Sequence, residues 1–164
     1  MMRRASVHDF LRQEHGGELI EFTIASSLLL LIIFGVMDCS RALYWYHYTA
    51  QMARQGTHFA SLRGATFNGI PCTVLPFNCT ATATDVANYV LAQTPLGFEG
   101  SGLTVQTIWP GTTVTGASCN ATLVYNRPGC VVNVRVAYTF NFILPFLPRA
   151  ALPLSSTSKV TIIQ

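Results

Sequence analysis

Residues 16 to 37 read Gly-Gly-Glu-Leu-Ile-Glu-Phe-Thr-Ile-Ala-Ser-Ser-Leu-Leu-Leu-Leu-Ile-Ile-Phe-Gly-Val-Met. From Leu19 onward the stretch is apolar apart from Glu21, Thr23, Ser26 and Ser27, and the block from Leu28 to Met37 is uninterrupted. About 20 apolar residues cross a bilayer as a helix, so this run is long enough for a single pass. The hydroxyls are tolerable in lipid, because Ser and Thr bond within a helix or to a neighbour. Glu21 is different. A carboxylate there costs about 2.5–3.5 kcal/mol on insertion scales, so it normally has a partner or a task. The Gly16-Gly17 pair just before it is a small, flexible site that a protease can open.

The flanks set a direction. Arg3, Arg4 and Arg12 precede the run, and Arg41 and Arg54 follow it. The positive-inside rule favours a cytoplasmic N-terminus, with the bulk of the chain outside. A secretory signal fits poorly, because Asp38-Cys39-Ser40-Arg41 offers no small-x-small cleavage site. Val36-Met37-Asp38 is equally unlike the small residues expected before a lipidated cysteine. Cys39 is better read as a small buried hydrophobe at the helix exit.

The helical pattern continues past the run. No proline interrupts residues 17 to 70. Leu43, Tyr46 or His47, Ala50, Ala53 or Arg54, and Thr57 recur at three-to-four spacing, which predicts an amphipathic rod. The Tyr44-Trp45-Tyr46 group falls where an interfacial aromatic belt lies. A helix from Gly17 to about Arg63 is about 70 Å long. His47 and His58 are three turns apart on it, too far to chelate one ion, and read as interfacial or partly buried side chains.

Composition bounds the rest. The chain has 164 residues, enough for one domain, with 50% hydrophobic and only 10% charged residues. About 25% charged is usual for a soluble domain. The net charge of +3 forms no basic patch with interleaved aromatics, so nucleic acid is not an expected partner. Cys72 and Cys79 form one close pair and Cys119 and Cys130 another. In an extracytoplasmic region these read as two local disulfides. Zinc is the competing reading, but the spacings lack a knuckle, and other pairings stay open.

Beyond Gly64 the texture changes. Residues 68 to 71 read as a loop, and Cys72 to Cys79 as a small closed loop. Val86, Tyr89 and Val90 predict a short helix over Asp85 to Gln93, with Thr84 or Asp85 as its cap. Leu103 to Trp109, Ala121 to Tyr125, Cys130 to Phe142 and Ser158 to Ile163 read as strands. The third is the clearest, with Val132, Val134, Val136, Tyr138, Phe140 and Phe142 alternating against their neighbours. The apolar connection from Ile143 to Leu154 either covers the sheet or forms an exposed patch for a partner or a membrane surface. The fold class is therefore α+β: a long N-terminal transmembrane helix extending into a small antiparallel β-sheet domain.

Catalysis finds no footing. The external part holds two acids, Asp85 and Glu99, and no histidine after His58. There is no phosphate-cradling glycine loop with a lysine and no nucleophile elbow. We expect no enzyme, no cofactor and no metal.

Gly16 to Phe22, the apolar run, Asp38 to Tyr44 and Gln51 to Gly56 together resemble the TadE-like family, pseudopilins of the tight-adherence (Flp) pilus system. The tail Tyr138 to Phe142 with its prolines, then Leu154 to Lys159, is also similar. The resemblance implies a pilin-like architecture: residues 1–16 as a prepilin-type leader, 17–64 as a transmembrane and projecting helix, and 65–164 as an extracytoplasmic α+β domain. It implies cleavage between Gly16 and Gly17 by a prepilin peptidase in a bacterial inner membrane. Glu21 and Phe22 would then serve assembly, with Glu21 pairing with the freed ammonium of Gly17 or that of a neighbouring subunit. The implied partners are other pilin or pseudopilin subunits and the Tad secretion machinery. The residues beyond Gly64 set the chain apart from a major Flp pilin, which is little more than the helix. That favours a minor or accessory subunit supporting pilus biogenesis and surface adhesion. The alternative is an uncleaved, signal-anchored extracytoplasmic binding domain or adhesin.

Overall fold

The computed structural model describes residues 15–68, 70–72, 74–77, 79–95, 102–119, 127–143 and 151–162. Its dominant element is α1, His15–Leu62, a single helix of 48 residues. Good helix formers and the absence of proline carry it without a break. It confirms the expected long helix to within two residues at either end.

The two halves of α1 meet different surroundings. Leu19, Phe22 and Leu28 to Phe34 are largely exposed, and none of the most apolar window is covered by protein. Burial begins at Asp38. It then recurs at Tyr48 and Thr49, Met52 and Ala53, Gly56 and Thr57, and Ala60, a stripe at helical spacing. The face differs from the expected one. Leu43 and Tyr46 point outward, and only Ala53 and Thr57 of the expected set are buried. Two threonines misdirect a reading by polarity: Thr49 and Thr57 donate their hydroxyls to the carbonyls of Tyr46 and Ala53, so both can be buried without cost in unpaired groups.

Two short strands follow, β1 at Thr66–Phe67 and β2 at Ile70–Pro71, paired antiparallel. The expected loop here is a tight hairpin. Asn68 takes φ +49°, the left-handed conformation that an Asn-Gly turn favours. The second helix, α2, spans Ala83–Ala92, with Val86 and Val90 fully buried. Its cap is Thr82, not Thr84 or Asp85. The Thr82 hydroxyl accepts from the Asp85 amide at 3.2 Å, and the Asp85 carboxylate accepts from the Thr82 amide at 2.9 Å. This reciprocal box satisfies two otherwise orphaned donors and holds the Asp85 carboxyl below its ordinary pKa, chiefly through the backbone bond to Thr82.

Three strands make the main sheet in the order β3-β4-β5, all antiparallel: β3 Leu103–Ile108, β4 Val131–Phe140 and β5 Leu152–Thr161. The alternation read in β4 holds. Val132, Val134 and Val136 are buried in the core shared with α1 and α2, and Phe140 is buried beneath Arg41 of α1, while Arg135 and Thr139 face outward. The strand stops at Phe140, short of Phe142. β5 begins six residues before the expected Ser158. Its Ser155 to Ser158 run and Pro153 hide it from a reading by β-propensity, and Pro153 is tolerated because β5 is an edge strand. Candidate strand Ala121 to Tyr125 lies outside the described residues, as do residues 96–101, which the sequence reads as a glycine-rich turn from Leu96 to Gly102, and 144–150 of the apolar connection.

The core joins both parts of the chain. Tyr48, Met52, Ala53 and Ala60 of α1 pack with Val86 and Val90 of α2 and with Val132, Val134 and Val136 of β4. A Cβ added to Gly56 would stand 3.1 Å from Val90 and 3.2 Å from Val134, so glycine is what lets the three elements approach.

Candidate functional site

Gly16 and Gly17 lie in the first turn of α1, exposed, with nothing within 4 Å of an added Cβ. The pair expected to be a flexible opening is wound into the helix. Glu21 and Phe22 stand exposed one turn further on. The hydroxyls around them are satisfied internally. Thr23 donates to the Leu19 carbonyl at 2.7 Å, Ser26 to Thr23 at 3.0 Å and Ser27 to Ile24 at 2.9 Å. Glu21 has no hydrogen-bond or ion-pair partner among the described residues. Glu18 is exposed in the first turn, at the mouth of the run, and Glu21 is the carboxylate set within it, available to a group from outside the chain.

The second feature is the junction where the apolar run ends. Asp38 is only 4% exposed. One carboxylate oxygen accepts from Arg41 at 2.9 Å, and the other from the backbone amide of Ile143 at 3.1 Å. Arg41 also lies over the Phe140 ring, 5.4 Å from its centroid. Just above, Trp45 packs 5.1 Å from Tyr138 and edge-on to Tyr44 and Tyr48. Burial, reinforced by Tyr44, pushes the Tyr48 phenol above its ordinary pKa. Its hydroxyl donates to the Gln93 carbonyl at 3.3 Å. This junction is not among the expectations from sequence, where Asp38 and Arg41 bear on cleavage, topology and family resemblance but not on a contact with the head. The local signal was an acid ending an apolar run with an arginine three residues on.

The cysteines pair as expected. Cys72 is bonded to Cys79 and Cys119 to Cys130, with Cα separations of 5.4 and 5.7 Å. Cys39 is a free and exposed thiol, not the buried hydrophobe expected; it lies beside Asp38 but on an outward-facing part of the helix. His47 and His58 are both exposed. His58 lines an open groove with Arg54, Tyr89 and Ser158. Among the described residues, no cluster of three or more metal-ligating side chains occurs.

Fold and junction define a class: a small α+β head built directly onto a helix that is long and apolar enough to cross a membrane. Comparison adds a family likeness over part of the chain. Residues 16–58 match the family model described as TadE-like protein. The match takes in the glycine pair, Glu21, the apolar run, Asp38 to Tyr44 and Gln51 to Gly56, and it bears out the resemblance read from those residues; it does not reach the tail segments Tyr138 to Phe142 and Leu154 to Lys159. It associates the chain, at that coarse level, with the Tad pilus system and fits a membrane-anchored component of it. No curated protein and no solved structure matches the chain.

Proposed function

We propose that this chain is a minor pseudopilin or accessory structural subunit of a Tad/Flp-type pilus, supporting pilus biogenesis and surface adhesion. It is inserted in the inner membrane with its N-terminus cytoplasmic and its head outside. A prepilin peptidase cuts between Gly16 and Gly17. The observation that carries this reading is Glu21: an exposed carboxylate without a partner among the described residues, one turn past Gly17, set within the apolar run that begins at Leu19. Cleavage creates an ammonium on Gly17. Pairing it with Glu21, within the chain or across to a neighbour, offsets much of what either charge costs in lipid. Across subunits, the same pair fixes their axial register. The packed upper half of α1 then presents the head outward.

Intact mass of the membrane-extracted protein tests the processing step. The expected result is loss of residues 1–16 in cells that hold the peptidase, and retention in cells that lack it. A functional protein that keeps Met1 overturns the reading. That outcome favours an uncleaved signal-anchored binding domain, which is also what the helical state of Gly16 and Gly17 in the uncut chain would suit.

A further inference from the structure

The end of the sheet nearest the apolar run has an exposed rim that the assembly role does not use. Ile143 is 71% exposed and Leu152 40% exposed. They lie at the same end, because Phe140 pairs with Leu152 in the β4–β5 ladder. Phe142, next to Ile143 in the chain, is half-buried with its ring edge-on to Phe140 at 5.1 Å. Large apolar side chains at a strand end are ordinary core residues when something covers them. Here the described residues leave them open.

Their height along α1 is fixed. β4 runs back down the helix: Val134 lies beside Gly56, Tyr138 beside Trp45, Phe140 beside Arg41, and the Ile143 amide on the Asp38 carboxylate. The lengths agree. About 27 Å of helix separates Gly56 from Asp38 at about 1.5 Å per residue. About 30 Å of extended chain separates Val134 from Ile143 at about 3.3 Å per residue. The rim is therefore level with the residue that follows Met37, the last of the apolar run.

We propose that this rim, Phe142, Ile143 and Leu152, is a lipid-contact surface that seats the head on the outer face of the bilayer beside the exit of α1. The inference rests on the reading of α1 as a membrane span. About 30 Å of hydrocarbon takes up Gly17 to Met37, which leaves Asp38 and the rim at the boundary between acyl chains and headgroups. The chemistry suits that depth. The Asp38 charge is buried and bonded to Arg41 and to the Ile143 amide, so the lipid meets no bare carboxylate. Tyr44 and Tyr46 remain half-exposed just above, where tyrosines favour the headgroup layer. Lipid is the occupant the position selects, because the rim continues the surface of a helix already in the bilayer. A soluble partner would have to enter the headgroups to reach it.

Site-directed spin labelling of the full chain in phosphatidylethanolamine–phosphatidylglycerol vesicles tests this. Cys39→Ser supplies the background, with single nitroxides at Ile143→Cys, Leu152→Cys, Ile32→Cys and Thr161→Cys. The substitutions keep the Ile143 amide that Asp38 holds. We expect labels at 143 and 152 to collide several-fold more with oxygen relative to a water-soluble nickel reagent than the label at 161, approaching the label at 32. If 143 and 152 are as open to nickel as 161 while 32 reads lipid, the rim proposal fails and the span stands. If all four read water, the span itself fails and the proposal with it. Spectral broadening at 143 that vanishes on dilution with unlabelled protein assigns the rim to a second copy and overturns the lipid assignment.

Discussion

The two halves of α1 are one uninterrupted backbone with opposite requirements. Below Asp38, apolar side chains point in every direction and nothing in the chain covers them. Above it, a narrow stripe of Tyr, Thr, Met, Ala and Gly is buried while Leu43 and Tyr46 stay out. A helix that is apolar all round needs an apolar solvent, whereas one with a stripe needs a partner. Hydrophobicity alone therefore ranks the halves wrongly. The more apolar half contributes nothing to the core of the head, and the less apolar half forms much of it.

The largest test exchanges equivalent residues across that divide. Phe140 of β4 is 1% exposed, packed at the junction, and its truncation to alanine should cost the head about 3–5 kcal/mol. Phe34, half-exposed in the lower half, should change head stability by less than about 0.5 kcal/mol when truncated. Denaturant unfolding followed by Trp45 and Trp109 fluorescence reads both. Equal losses would show that the lower half supports the head after all.

Two of the helix's three acids, Asp38 and Glu21, offer the next comparison. Asp38→Ala strands the Arg41 guanidinium and the Ile143 amide near the membrane boundary, and should destabilise the head by about 1–3 kcal/mol. Glu21→Ala touches no contact among the described residues and should leave unfolding unchanged, while pilus assembly falls sharply. Normal piliation in the Glu21 variant would remove the carboxylate from the assembly mechanism.

How much of this was legible in the chain follows sequence distance. The length of α1, the Asn-Gly turn signal, the two cysteine pairs and the alternation in β4 are local patterns, and three of those four were read correctly. The hairpin at Asn68 was visible in the residues and passed over. Asp38 could not be read, because its second ligand is a backbone amide more than a hundred residues away. The buried stripe was mis-set because Thr49 and Thr57 satisfy themselves within the helix, and because Gly56 matters for the side chain it lacks. The start of β5 was hidden by serines that pair as edge-strand backbone whatever their side chains prefer. The candidate assembly residues, Glu21 and Phe22, were legible as residues, and the described residues hold no partner for the Glu21 carboxylate.

The glycines sharpen the divide further. A methyl added at Gly35 meets nothing, whereas one at Gly56 presses on Val90 and Val134. Overpacking costs about 1–3 kcal/mol and helix propensity returns about 1 kcal/mol, so Gly56→Ala should lose roughly 1 kcal/mol net. Gly35→Ala should leave the head's unfolding curve in place. A stabilised Gly56→Ala variant would mean that α2 and β4 can withdraw from α1 at little cost.

The smallest effect comes from the cover over the upper half. α2 reaches α1 through Val86 and Val90, and its first turn is held by the Thr82–Asp85 box. Thr82→Ala should cost about 1 kcal/mol at neutral pH. The pH dependence has a definite sign. Asp85 has a folded-state pKa below its unfolded value, so the ionised carboxylate favours the folded head. That contribution is complete above the ordinary carboxylate range and disappears as pH falls through the lower folded value. Wild type and Thr82→Ala should thus differ most near neutrality and converge in acid, and in both proteins the loss should enter through α2 rather than through the lower half of α1. Hydrogen exchange at the amides of Val86 and Val90 locates it. If the gap between the two proteins stays constant down to the acid transition, the carboxylate is not part of what Thr82 contributes, and the cap acts through its hydroxyl alone.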